Sequence, residues 1–128
     1  MAGDVRPAFL ALGTVLLATT ALAASEEEVK QAYDAWNEAF NQGDAAALAA
    51  LYSDDSLLLP ATHDVVEGPE GVQRFFQGLF DGGVTGHALE LIEVIEGDET
   101  TVAAARWSAR GKDASGAEAA FGGIATHV

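Results

Sequence analysis

Three histidines, His63, His87 and His127, titrate closest to neutrality in this sequence, which makes them the natural candidates for acid-base chemistry. Asp64 follows His63, and a carboxylate beside an imidazole raises the basicity of the ring. The pair could act together only from a loop, because adjacent residues of a strand point to opposite faces. A solvated loop without chemistry is the simpler interpretation of this stretch, and we prefer it.

The other two histidines fall in segments that read as strands. Alternation places His127 on the same face as Phe121, which suits a pocket, although a position at the end of the sequence could equally be frayed. We expect His87 to lie at the start of a strand and to have no role.

Composition excludes several classes of function. The sequence has 20 acidic and 6 basic residues and a formal charge of −14, which disfavours binding to nucleic acid or to an anionic bilayer. It contains no cysteine, so thiol chemistry and thiolate metal sites are excluded. The histidines are not spaced for a helical metal site, and no phosphate loop, nucleophile elbow or dinucleotide fingerprint occurs. We therefore predict neither a metal nor a cofactor.

Arg106 and Arg110 share one face of a predicted strand and are candidates for receiving an anionic ligand or a carboxylate of another subunit. Because the chain has few basic residues, the simpler expectation is that they pair with Glu90 or Glu118 on neighbouring strands.

The 128 residues suffice for one domain. Arg6, the apolar run from Pro7 to Leu17 and the small residues up to Ala23 have the layout of a secretory signal peptide. We therefore expect a signal peptide over residues 1–23, a domain over residues 24–128, and a secreted or periplasmic protein with no membrane contact after cleavage. An uncleaved membrane anchor is the alternative.

The start of the domain predicts a long amphipathic helix. Ser25–Glu28 has the form of a capping box, in which the serine side chain and the glutamate three residues later each satisfy a free backbone N–H. The apolar stripe of this helix includes Trp36 and Phe40, whereas Asn37 and Asn41 are assigned to its solvent-exposed face.

A second, short helix follows, for which Asp44 is a suitable N-cap. Two short strands are expected over Ser56–Pro60 and Val65–Glu67. A third helix should begin at Pro69, a residue well tolerated in the first turn, and end at Gly82 and Gly83.

The rest of the sequence changes to a period of two, which predicts three long antiparallel strands over Val84–Glu96, Thr100–Lys112 and Ala117–Val128. No turn follows the third strand. We expect either that the domain continues beyond Val128 or that a neighbouring chain completes this sheet edge.

The order of elements resembles the cone-shaped α+β fold of the nuclear-transport-factor-2-like (NTF2-like) superfamily, particularly its SnoaL-like and DUF4440-type members. The local sequences Trp36–Asp44, Leu51–Ser56 and Val66–Val72 carry the resemblance. It implies three N-terminal helices packed on a curved antiparallel sheet. Family members usually end with one more strand after a Gly-Trp turn, which this sequence lacks.

The resemblance also implies an apolar pocket between the helices and the concave face of the sheet. The wall candidates are Trp36, Phe40, Tyr52, Leu59, Phe76, Phe80, Trp107 and Phe121. Ketosteroid-isomerase-like members carry a general-base aspartate at a place that Pro60 occupies here, which argues against that chemistry.

We favour one function and keep two alternatives open. The first is binding of a small hydrophobic molecule by a homodimer that pairs through its sheet. The second is an isomerase or dehydratase acting on a small hydrophobic substrate, with His63 or Asp64 as base, His127 as its partner and Tyr52 as a hydrogen-bond donor. The third is an oligomerisation module without catalysis.

Overall fold

A computed structural model describes residues 23–128, so the predicted signal peptide lies, except for Ala23, outside the described residues. The first helix, α1, spans Glu26–Asn41. Its predicted capping box is confirmed: the Glu28 N–H donates to Ser25 Oγ over 3.2 Å, and the Ser25 N–H donates to Glu28 Oε1 over 2.9 Å.

The short helix α2 spans Ala45–Ala49, and Oδ1 of Asp44 accepts from the backbone of its third residue over 3.0 Å, which confirms the N-cap. Helix α3 spans Gly68–Asp81 and has Pro69 in its first turn. These caps matter because the first N–H groups of a helix have no partners inside the helix.

A two-stranded antiparallel sheet joins α2 to α3. Its strands, β1 over Leu57–Leu58 and β2 over Val66–Glu67, are shorter than expected. β1 stops well short of the predicted end because the Pro60 carbonyl accepts from the His63 N–H over 3.2 Å, which turns the chain away from the sheet.

The main sheet contains β3 over Thr85–Glu96, β4 over Thr101–Lys112 and β5 over Glu118–His127, paired antiparallel in the order β3-β4-β5. Each strand begins one residue later than the alternating pattern predicts. The inner face of β4 carries Ala103, Ala105 and Ala109, all buried, as the alternation implied.

The interior has two apolar parts. Leu48 and Val72 are fully buried and join α2 to α3, and burial of such side chains contributes about 1.5–3 kcal/mol each. Val29 and Tyr33 of α1 pack on the inner face of the main sheet. Trp36 lies against both parts, so α1 connects the helical layer to the sheet and the expected α+β class is confirmed.

No helix within residues 23–128 combines the length and apolar character needed to cross a bilayer.

Candidate functional site

Alternation along β3 places a histidine on the inner face of the sheet, next to a bulge at the start of the strand. Thr85 pairs with Arg110 and Ala88 with Ser108, so two residues of β3 lie opposite one residue of β4. Gly86 adopts a φ of 64°, a left-handed conformation that glycine accepts without steric cost and that is typical of such bulges. His87 lies two residues before the buried Leu89, so both side chains are directed at the helices, and only 8% of the His87 surface is exposed.

Aromatic rings surround the imidazole of His87. Its ring centroid lies 4.2 Å from that of Trp36 and 4.6 Å from that of Phe40, both on α1. Trp107 of β4 lies 5.9 Å away with its ring plane nearly parallel, at 2°. Trp36 and Phe40 also stack on each other at 5.3 Å. The imidazole thus lies between α1 and the middle strand.

Further aromatic side chains extend this group toward α3. Phe76 meets Trp36 edge-on at 5.4 Å, and Phe80 meets Phe40 in the same way at 4.8 Å. Such edge-to-face pairs add to the hydrophobic effect of burial. Tyr52 lies 6.5 Å from Phe76. We call the group formed by His87 and six linked aromatic residues the aromatic cluster; the six are Trp36, Phe40, Tyr52, Phe76, Phe80 and Trp107.

Two polar groups lie within the aromatic cluster. Nε1 of Trp36 donates to the hydroxyl oxygen of Tyr52 over 3.1 Å, and burial raises the pKa of Tyr52, which keeps the phenol protonated. By contrast, Nδ1 of His87 is buried and has no hydrogen-bond partner in the described part of the chain. Burial lowers the pKa of His87 from 6.5 to about 4, so the ring is neutral at pH 7.

Two asparagines of α1 bind the backbone of β3, one at His87 and the other at Leu89. The Asn41 amide donates to the His87 carbonyl over 3.0 Å and accepts from the His87 N–H over 2.9 Å. Asn37 makes the same pair with Leu89, over 3.4 and 2.8 Å. Asn37 and Asn41 are four residues apart on the helix, a rise of about 6.0 Å. This distance is close to the roughly 6.6 Å between alternate strand residues such as His87 and Leu89, so both amides can bind at once.

The pairing by Asn37 and Asn41 satisfies backbone groups on an edge of the three-stranded sheet, where a fourth strand would otherwise bind. The prediction that both side chains face solvent is wrong for Asn37, which is half-buried, whereas Asn41 is exposed as predicted and still binds the β3 backbone. Helical periodicity places them beside the apolar stripe, and their amides offer the donor and acceptor that an unpaired strand requires.

A second polar pair closes the far end of the inner face. The hydroxyl oxygen of Tyr33 lies 2.7 Å from Nδ1 of His127. Burial lowers the pKa of His127 and raises that of Tyr33, so both groups are neutral at pH 7. The pair ties the last strand to α1.

Six of the eight predicted wall residues are brought together in the aromatic cluster. The other two lie elsewhere: Leu59 is 70% exposed, and Phe121 is 42% exposed on β5. Gly123, next along the same face as Phe121, lets Trp107 approach so closely that a Cβ there would lie 3.0 Å from its Nε1.

His63 and Asp64 lie on the surface, in the turn between β1 and β2, and both side chains are exposed. The backbone of His63 has a φ of 70°, a left-handed conformation. The loop does not turn inward, which the hypothesis of a base at this pair requires. The simpler interpretation of a solvated loop agrees with this position.

A cleft of about 290 Å³ lies beside the aromatic cluster, bounded by Phe40, Phe80, Val84, Thr85 and residues 41–43. A more open cleft of about 470 Å³ lies between the start of α1 and the middle of β3, lined by Glu26, Lys30 and residues 91–94. The described residues contain no group of three acidic or histidine side chains placed to hold a metal ion.

Of the two arginines of β4, one forms the expected ion pair with a glutamate on a neighbouring strand. Arg110 pairs with Glu118 of β5 over 3.2 Å, with both side chains exposed, so the pair contributes at most about 1 kcal/mol. Arg106 lies opposite Glu90 in the strand register.

The sequence interpretation missed His87, Asn37 and Asn41. One signal for the direction of His87 was present: it precedes Leu89 by two residues, so alternation places both side chains on one face of the strand. For the asparagines no pattern in the helix alone distinguishes contact with a strand from contact with water.

Solved structures of known proteins share this fold. A ketosteroid isomerase-like protein from Erwinia carotovora atroseptica SCRI1043 is 24% identical, with a TM-score of 0.58 over 77% of this chain and 78% of that one. Aln2 from a Streptomyces species is 23% identical, with a TM-score of 0.62 over 77% and 76%. The epoxide hydrolase/cyclase-like enzyme SalBIII, described in pyran ring formation in the polyether salinomycin, is 18% identical, with a TM-score of 0.62 over 79% of each chain.

At these identities the likeness shows the fold alone. No curated protein matches the chain. The SnoaL-like domain family matches residues 33–128, which include all the strands and every residue of the aromatic cluster. The chain therefore belongs to the SnoaL-like domain family, with the NTF2-like fold.

Proposed function

We propose that this chain binds a small, uncharged and mainly apolar molecule at the aromatic cluster, between the helices and the inner face of the sheet. One observation carries the proposal: rings of α1 and β4 enclose a histidine whose Nδ1 is buried without a partner in the described part of the chain. Core residues that serve packing alone are usually apolar, and an unsatisfied polar atom among them costs about 1–3 kcal/mol.

The surfaces of the cluster suit such a ligand. Trp36, Tyr52, Phe80 and Trp107 are only half-buried, so part of each ring is open to contact. Ligand sites are typically apolar and contain a few placed polar groups, here the Tyr52 hydroxyl and the His87 imidazole. The isomerase-like and cyclase-like names among the structural neighbours agree with a small organic ligand.

Thermal unfolding in the presence of 2-naphthol tests the proposal. A ligand that binds only the folded chain raises the midpoint of unfolding with its concentration. We expect a saturable increase for the wild type and a much smaller one for Trp36→Leu, which removes the ring between α1 and His87. Leu57→Ala, at an exposed residue of β1, is the matched control and should respond like the wild type.

Urea unfolding without ligand establishes that Trp36→Leu is folded. If wild type and Trp36→Leu respond equally to 2-naphthol, the ligand binds elsewhere and the assignment of the site is wrong. If the wild type shows no response up to the solubility limit, the binding proposal is rejected for this class of ligand.

A second candidate function is proton transfer on a small hydrophobic carbonyl compound, and the 2.7 Å contact between Tyr33 and His127 favours it. A neutral imidazole can take a proton from the carbon beside the carbonyl group and return it after exchange with water. Loss of solvent deuterium incorporation in His127→Ala would support this role. Incorporation that survives in His127→Ala, His63→Ala and Asp64→Ala would exclude all three residues as the base.

Two further proposals concern the context of the domain. The first is export, with cleavage after Ala23, which sequencing the N-terminus of protein from the natural host tests. The second is a homodimer through the sheet, whose edge strand β5 and exposed residue Ile124 offer a contact surface. Sedimentation that finds a monomer at high concentration would contradict it, and oligomers without ligand binding would favour the oligomerisation module.

A further inference from the structure

Nδ1 of His87 occupies an unusual position. It is buried and has no hydrogen-bond partner in the described part of the chain. Buried polar atoms in native proteins nearly always have a partner, so an exception marks a position where a further polar group can bind. The rings nearest to it belong to Trp36, Phe40 and Trp107, and none of them carries a charge or an oxygen.

The imidazole cannot easily turn away to find another partner. Asn41 binds both backbone groups of His87, and alternation along β3 directs the side chain to the same inner face as the buried Leu89. Trp36 and Trp107 lie against the ring. A polar atom held in this way is preorganised, so a ligand does not need to order it on binding.

The chemistry of the neutral ring indicates which partner Nδ1 can bind. Burial lowers the pKa of His87 to about 4, so at pH 7 the ring is neutral. One ring nitrogen then carries a proton and the other a lone pair. Buried N–H groups without a partner are rarer than acceptors without one, which favours the lone pair at Nδ1. A charged partner would lose its hydration among aromatic rings, which favours a neutral one.

We propose that Nδ1 of His87 accepts a hydrogen bond from the hydroxyl group of an uncharged, mainly apolar ligand, an inference that rests on the proposed function. The ligand class is therefore a phenol, an enol or an alcohol attached to an apolar frame. The rings of the aromatic cluster bind the frame, and His87 distinguishes the hydroxyl from groups that cannot donate.

Three probes of similar shape separate this inference from general apolar binding: 2-naphthol donates a hydrogen bond, 2-methoxynaphthalene only accepts, and 2-methylnaphthalene does neither. Calorimetric titration should give an affinity for 2-naphthol about 5- to 10-fold higher than for the other two, as one hydrogen bond allows. His87→Phe keeps an aromatic ring and should bind all three probes alike. His63→Phe, in the exposed turn, should keep the preference of the wild type.

Equal affinities of the three probes for the wild type would overturn the inference and leave the proposed function intact. A preference for 2-naphthol that persists in His87→Phe would overturn it as well. Absence of binding by all three probes would instead reject the proposed function, and the inference would fail with it.

A measurement without ligand supports or overturns the same inference even if His87→Phe does not fold. Nitrogen NMR of the wild type distinguishes the two neutral tautomers of His87 at pH 7. The expected spectrum has the proton on Nε2 and an unprotonated Nδ1. A proton on Nδ1 would make this nitrogen a donor and would exclude the proposed recognition of a hydroxyl group.

Discussion

Protonation of His87 should destabilise the folded chain at mildly acidic pH. The pKa of the buried imidazole is about 4, whereas the ordinary value is 6.5, so the unfolded chain binds this proton more readily. Stability is therefore lost as the pH falls from 6.5 toward 4, and the loss is complete below the folded pKa. The difference between these two pKa values lowers the free energy of unfolding by about 3 kcal/mol at full protonation and by about 2 kcal/mol at pH 5.

Urea unfolding of wild type and His87→Phe, followed by tryptophan fluorescence at pH 7 and pH 5, measures this effect. Phenylalanine keeps the ring and cannot take the proton. The other titrating groups, including His127 and the carboxylates, are present in both proteins and cancel in the comparison. The wild type should lose about 2 kcal/mol more than the variant between the two pH values. Equal losses would refute the reasoning that burial holds His87 neutral.

Three further predictions concern the elements that hold the cluster. Asn41→Leu leaves backbone groups of β3 without partners and should lower the free energy of unfolding in urea by about 1–3 kcal/mol. Gln31→Leu, on the exposed face of α1, is the control and should change stability little. Equal effects of the two substitutions would contradict the pairing. Gly123→Ala places a Cβ 3.0 Å from the Trp107 indole, so the fluorescence spectrum should shift, and an unchanged spectrum would contradict this contact. Leu48→Ala, at a fully buried position, should cost about 2–5 kcal/mol, and a loss below about 1 kcal/mol would argue against the described packing.

The scaffold was predictable because its signals are local. Capping at Ser25 and Asp44 depends on neighbouring residues, and alternation along the long strands depends only on the period of side-chain direction. The two short strands were less predictable. Their ends depend on the turn between Pro60 and His63, in which backbone hydrogen bonding ends the pairing that the apolar run suggests.

The rings of the aromatic cluster were predictable in part, and its polar groups were not. Aromatic residues such as Trp36 and Phe76 stand out by type and helical spacing, so their convergence follows from the fold. His87 owes its burial to rings of α1 and β4, and Asn41 owes its role to the distance between α1 and an edge strand. Both depend on contacts between residues far apart in sequence, which no local pattern encodes.

The central claim, binding at the aromatic cluster, is tested most directly by an NMR titration of the wild type with 2-naphthol. The chain has two tryptophans, Trp36 and Trp107, and both belong to the cluster. Binding there predicts that both indole N–H signals shift and saturate together, while the amide signal of His63 in the exposed turn stays in place. Indole signals that do not move, or that move without saturating, would contradict binding at this site.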